Sequence, residues 1–401
     1  MKPQFKHINL SFCILAMALI LFSCVSKLVG QSPKESVLNP TLFNMVKQNQ
    51  QSYYSQFNPQ KEIVAARGMA SKQYKNDNGS ITFIADSKPL HYKEGNTWKE
   101  IKTDIILNTG KERTIYGFCN LTNASKTYYP NLFNEGVKVD LTNKTSIGWQ
   151  KTQMAWVDKN NQIIQYTITD ANQSTAKLYV NSLTYTDVFN GIDATFIQGE
   201  ESRELFYIIN NPDALKNKPA NAAYLVFYET MLLPEGYYAD GVIDRKGEQI
   251  QEIIIYDAEG NPSLGYSPIF YYDSNLKEGD KPEKGSYTLN HSGKNVVIGI
   301  QIPIKWLSNP DRKYPIIIDP TTYYNYSTTK TCGSVDNTGY VWYNGIFYTN
   351  EFMLGLAYNT DYILKWVQGW AEFDLSTLDP DDILSDADIM LYQFGYGNDY
   401  A

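Results

Sequence analysis

The chain has 401 residues, 43% of them hydrophobic and 19% charged, a balance that excludes a largely disordered protein and, beyond the N-terminus, a membrane protein. Lys and Arg number 35 against 43 Asp and Glu, for a net charge of −8. No contiguous basic block stands ready to neutralise phosphates, which argues against nucleic acid as a partner. With 32 Tyr, 14% aromatics and only three His, the composition is that of an aromatic, turn-rich β-protein.

Lys2, Lys6 and His7 precede the apolar run Leu10–Phe22. A short charged stretch followed by about a dozen apolar residues reads as a secretory signal, too short for a comfortable membrane span. Two cleavage readings stay open within residues 1–30. Leu21-Phe22-Ser23-Cys24 has the form of a bacterial lipobox, with Cys24 as the lipidation candidate and the sole route to a membrane. The other is cleavage after Leu28-Val29-Gly30, leaving Gln31 first. Either one places the mature chain outside the cytoplasm.

Residues 31–60 read as a polar linker with one short helix begun at Asn39-Pro40. From 61 the hydrophobic period is two. Val296, Ile298, Ile300, Ile302 and Ile304 place an apolar residue at every second position, and Leu205–Ile209 and Ile253–Tyr256 are β-branched and aromatic runs suited to central strands. Asn76–Gly79, Asp244–Gly247 and Asp257–Pro262 have hairpin-turn compositions. The expectation is an all-β protein of antiparallel β-sandwich domains: 61–185 and 186–320 as the two parts of a large sandwich region, then 321–401 as a partial jelly-roll-like module that looks truncated.

Metal and nucleophilic chemistry find little support. No Cys/His set has zinc or iron–sulfur spacing, and no twelve-residue EF-hand loop is present, so no cofactor is expected; calcium held by loop Asp and Asn oxygens is the one metal candidate. Beyond the signal the histidines are His91 and His291, and no G-x-S-x-G occurs. His91 reads either as a general base or, preferably, as a histidine bonded within a strand or turn. Glu200–Glu204 and Asp379–Asp382 read as hairpin and turn decoration, and Asp319-Pro320 as a strand stop. Cys119 and Cys332 read as separate buried thiols. Sugar rings stack on flat aromatic faces, and acidic sugars need cations beside them. Trp342, Tyr343, Tyr348, Trp366 and Trp370 with Lys365 are therefore the glycan-contact candidates, while Trp98, Trp149, Trp156 and Trp306 read as core or strand packing.

Three stretches carry a family resemblance. Lys88-Pro-Leu-His-Tyr92 with Trp98-Lys-Glu-Ile101, Tyr185-Thr-Asp-Val-Phe-Asn-Gly-Ile-Asp193 with Arg203-Glu204, and Lys305-Trp-Leu-Ser-Asn-Pro-Asp-Arg-Lys-Tyr-Pro-Ile-Ile-Ile-Asp-Pro320 resemble, in order and spacing, the β-region that precedes DNRLRE domains in large bacterial surface proteins. Glu372-Phe-Asp-Leu-Ser-Thr-Leu378 with Ile383, Ala387 and Ile389 is similar to the start of a DNRLRE, or CBM96-like, module. Gln368, Gly369 and Trp370 stand where an Arg is usual, and the segment that gives the domain its name is absent. The resemblance implies a secreted or surface-anchored envelope protein, non-catalytic, serving adhesion, scaffolding or binding of a polysaccharide or cell-surface glycan. Two alternatives stand beside it. One is a polysaccharide hydrolase or lyase using carboxylates of the sandwich region; the other is a structural fragment of a larger RHS-like surface protein.

Overall fold

In the computed structural model the chain divides into two compact units, Met1–Gln51 and Ser52–Ala401. The described residues are 57–324, apart from 87–88, 169–173, 175, 245–246, 277–281 and 293. They also include the strand backbone of Cys332–Asp336, Val341–Trp342, Gly355–Tyr358 and Leu364–Ala371. The expected signal, Cys24 and the helix after Asn39 lie outside them.

Strands dominate and every pairing among them is antiparallel, as the period-two pattern requires. The strand Tyr224–Leu232 shows how one layer is built. It lies between Ser146–Val157 on one side and Asn295–Pro303 on the other. Its inward row is Leu225, Phe227, Glu229 and Met231, all buried. The register sets Trp156 and Ile302 beside Leu225, Met154 and Ile300 beside Phe227, and Thr152 and Ile298 beside Glu229. The predicted alternation over 296–304 is thus a core row, buried at every step; the strand ends at Pro303, and Ile304 opens the one-turn helix Ile304–Leu307.

The facing layer is centred on Ser202–Ile209, which is buried at all eight positions. Ile192–Gln198 pairs along one edge, and Ile316–Asp319 with Thr322–Tyr324 pairs along the other. Rings from the two layers meet: Tyr207 stacks on Phe227 with centroids 4.1 Å apart and planes within 5°. Further pairings along the rims join both layers into one network of twenty strands from Ile106 to Tyr324. Residue 185 lies inside the strand Ser182–Phe189, so hydrogen bonding and core run continuously across 185/186. Beyond the network, the described strands after 332 form a separate four-stranded sheet, in the order Val341–Trp342, Cys332–Asp336, Leu364–Ala371, Gly355–Tyr358.

The turn compositions act through a shared device. Asp257 Oδ1 accepts from the backbone N–H of Glu259 and Asn261, and Asp158 Oδ1 accepts from Asn160 and Gln162. In each turn a residue of positive φ follows, Gly260 at 83° and Asn161 at 61°, the two residue types that tolerate that region. Trp149 and Trp156 are core residues as expected; Trp306 packs against the core edge, and Trp98 is half-exposed beneath the Lys93 ammonium.

Cys119 is a buried free thiol whose acidity burial weakens. Alkylation of the native protein is expected to leave Cys119 unmodified, and urea unfolding to release it, since the thiolate is the reactive form. Mass spectrometry of the Cys119 peptide checks this; prompt labelling without denaturant would contradict the buried placement.

Candidate functional site

The inward row of Tyr224–Leu232 is apolar except at Glu229, and the inward row of Ser202–Ile209 is apolar except at Arg203 and the Tyr207 hydroxyl. These exceptions build one buried polar network. Glu229 Oε2 accepts from the Tyr266 hydroxyl at 3.1 Å and Oε1 from Tyr207 at 3.4 Å. Trp149 Nε1 donates to Tyr266 at 2.6 Å, which fixes that hydroxyl as both acceptor and donor. The Arg203 guanidinium, 1% exposed, lies 4.3 Å from the Trp149 ring centroid and 5.4 Å from that of Phe196, and Nη2 donates to Thr322 Oγ1 at 3.3 Å. Burial pushes the Glu229 carboxyl above its usual range, and Arg203 and the two tyrosines pull against that shift. A charge at such depth survives only when paired and bonded. Arg203 belongs to a recognised motif, but nothing local in the sequence couples it to Glu229.

The other motif residues have equally internal roles. Asp187 N–H donates to Asp193 Oδ1 at 2.7 Å, and Gly191 N–H donates to Asp187 Oδ1 at 2.8 Å, so the loop 187–193 caps itself with both of its carboxylates. Tyr185 donates to the Pro130 carbonyl at 2.7 Å. In the third motif Arg312 lies over the Trp306 ring at 3.8 Å, donates to the Trp306 carbonyl, and reaches Asp273 at 3.5 Å. In the first, His91 is 1% exposed with Nδ1 at 2.7 Å from the Gly68 carbonyl, the bonded placement preferred above.

Of the acidic groups, Glu200 and Glu201 occupy the turn before Ser202 and are half-exposed. Glu204 departs from the hairpin-decoration reading: it is 6% exposed, because its strand is covered on both faces. Asp319 ends the strand Ile316–Asp319 and accepts from Thr321 Oγ1 at 2.7 Å. Its surface is half-covered, yet enough protein surrounds the carboxyl that burial pushes it up to about 7. The folded state therefore holds this proton more tightly than the unfolded chain does. The stability it contributes is full below about pH 4 and is lost as pH rises to about 7. Asp319→Asn, which can still accept from Thr321, is expected to match the parent near pH 4. Near pH 8 it should exceed the parent by on the order of 1–2 kcal/mol, a figure discounted for the open side of the carboxyl. Urea unfolding at both pH values is the check, and a difference that ignores pH would remove the carboxyl as its source.

Among the described residues no three His, Cys, Asp or Glu side chains converge on a metal-sized site. An open depression of about 670 Å³ is lined in part by Leu107, Asn108, Arg113 and Asn131, and none of its lining residues is a carboxylate or an aromatic. The glycan-contact candidates fall elsewhere. Tyr343 and Tyr348 lie outside the described residues. For the others the backbone register places Trp342 opposite Ser334, Trp370 opposite Gly333, Trp366 opposite Leu356 and Lys365 opposite Ala357. One four-stranded sheet therefore carries Trp342, Lys365, Trp366 and Trp370.

No family model matches the chain, and no solved structure matches it. Two curated proteins are similar over 282 residues at 24% identity: the tRNA3(Ser)-specific nuclease WapA of Bacillus spizizenii and the tRNA nuclease WapA of Bacillus subtilis. The matched stretch is 68% of this chain and 11% of each relative, so the chain spans about a tenth of the length of the proteins it resembles.

Proposed function

We propose that the chain is a non-catalytic protein of the bacterial envelope, secreted or lipid-anchored through Cys24. Residues 106–324 form its rigid β-sandwich shell, and the sheet after 332 belongs to a DNRLRE-type, carbohydrate-binding-like module. One observation carries this reading. The residues that make the three motifs recognisable are spent on internal bonds: Arg203 between the layers, Asp187 and Asp193 on their own loop, Arg312 on Trp306, His91 on a backbone carbonyl. A catalytic set would leave such groups facing a cleft, with a base in reach of a substrate proton.

The hydrolase or lyase alternative needs two carboxylates across an open groove. Among the described residues burial raises the proton affinity of two carboxyls: Glu229 is closed between the layers, and Asp319 sits at a strand end bonded to Thr321. The N-terminal signal pattern supports the extracytoplasmic placement. The WapA likeness supports a region of a long protein more than a complete activity, and this reading assigns no tRNA cleavage to the chain.

The purified chain, applied to a panel of acidic and neutral polysaccharides and separately to tRNA, tests both halves. Binding to at least one polysaccharide, weakened by Trp366→Ala or Lys365→Ala, together with intact tRNA is the expected result. Silence across the panel would remove the glycan half, and tRNA cleavage would overturn the non-catalytic half.

A further inference from the structure

Residues 57–101 stand apart from the twenty-strand network. They hold two small sheets of two strands each, Ser71–Lys75 with Ile81–Ala85 and His91–Glu94 with Thr97–Glu100. A two-stranded sheet is marginal alone, so other contacts must hold these together. A polar cluster centred on His91 does so. The Leu90 and His91 N–H groups both donate to the Met69 carbonyl, at 2.8 and 2.9 Å, and Ile63 N–H donates to Gln73. A carbonyl can only accept, so the 2.7 Å contact with Gly68 places the proton of the neutral ring on Nδ1. That leaves Nε2 as a bare lone pair, buried and without a hydrogen-bond partner.

The charged groups that act on the ring are Glu62, Arg67, Lys72 and Glu100, and Tyr74 lies among Glu62, Arg67 and Glu100. Glu62 already accepts a fork from Arg67, Nε at 2.6 Å and Nη2 at 2.9 Å. Lys72 is paired with Glu100 at 2.6 Å. Glu62 Oε1 is 3.9 Å from Nε2, beyond hydrogen-bond reach. A second proton on the ring therefore finds no acceptor in place. Binding it requires Glu62, at ion-pair distance but not hydrogen-bonded, to shift onto Nε2, or the imidazole to leave its buried seat.

We propose that His91 is an acid-released clasp, which in its neutral form locks residues 62–70 onto the hairpin 91–100 and on protonation frees them while the sandwich stays folded. Burial, with the nearby Arg67 and Lys72 charges, depresses the proton affinity of the ring, against the pull of Gly68 and Glu62. The sign follows. The unfolded segment binds a proton more readily than the folded one, so the clasp is secure above pH 6.5, the ordinary imidazole value, and weakens as pH falls below it. Opening is local because the 57–101 sheets share no ladder with the sandwich. The clasp does not depend on the glycan reading.

Hydrogen exchange of the full chain, compared at about pH 7.5 and about pH 5 after correction for intrinsic rates, tests this. The amides of Ile63, Leu90 and His91 are expected to open by about tenfold or more at the lower pH, while Ser202–Ile209 stays protected. In His91→Gln, whose amide can still donate to Gly68 but does not titrate, the pH response should vanish. Should that variant fail to fold, the imidazole signals of the unmodified chain serve instead, and Nε2 is expected to remain unprotonated until below pH 6.5. Equal protection at both pH values, a response that survives in His91→Gln, or a ring that titrates at or above the ordinary value would each overturn the clasp.

Discussion

Arg203→Ala is expected to cost the sandwich about 3–5 kcal/mol, from emptying a large buried site between two rings and removing the cation nearest a buried carboxyl. Three losses add in that variant. The Glu229 carboxylate keeps its tyrosine hydrogen bonds but loses the cation that offsets its burial. The guanidinium no longer stacks on Trp149 at 4.3 Å, and the space between Trp149 and Phe196 empties. Arg203→Lys keeps the charge without the planar fork and should fall between parent and alanine. Replacing both charges with apolar residues, Arg203→Met with Glu229→Leu, is expected to recover part of the loss, because the desolvation cost disappears with the ions while the Tyr207 and Tyr266 hydroxyls lose their acceptor. Urea midpoints at constant slope across the four proteins measure this. A single-variant loss within about 0.5 kcal/mol of parent, the range of an ordinary surface change, would mean the network is not what couples the layers.

Gly136→Ala is the second large effect, for a different reason. Gly136 has φ 79° and ψ 174°, a conformation open to glycine and costly to residues with a Cβ. A Cβ there would lie 1.9 Å from the Trp149 carbonyl oxygen and 2.7 Å from its carbon. The backbone cannot yield cheaply, because Trp149 N–H donates to the Val137 carbonyl at 2.7 Å and its indole holds Tyr266 and faces Arg203. Strain and clash together point to a loss of about 2–4 kcal/mol. Gly79→Ala separates the two terms: its φ is 85°, yet nothing lies within 4 Å of the added Cβ. That variant should lose about 1–2 kcal/mol, the cost of holding a residue with a Cβ at positive φ. Equal losses at the two sites would show that backbone strain alone, not the approach to Trp149, sets the requirement for glycine.

Arg203 reads differently in sequence and in space. Arg203 stood in a recognised stretch beside Glu204, where the simplest reading was a charged hairpin. In the fold Arg203 and Glu204 leave opposite faces of one strand, and both faces are covered. Period-two reasoning finds strands reliably, but Ser202–Ile209 lacks alternation because it is buried twice over. Glu229 was invisible for a related reason. One carboxylate in an apolar row looks like an outward position until Tyr207 and Tyr266 converge on it from other strands.

His91 was legible in part. Its place in Pro-Leu-His-Tyr and the preference for a bonded rather than catalytic imidazole match the contact with Gly68. Its burial and its charged neighbours were not, because Glu62 and Arg67 approach it from a loop whose path the residue pattern does not dictate.

Sequence alone determined the all-β class, the core row 296–302 and the turns at Asn76, Asp244 and Asp257, because strand period and turn chemistry act between neighbours within a few residues. Tertiary structure decided which charges are buried and with whom. A guanidinium, a carboxylate and two phenols meet between the layers only after strands distant in sequence have paired, and whether their ions cost or stabilise depends on that meeting.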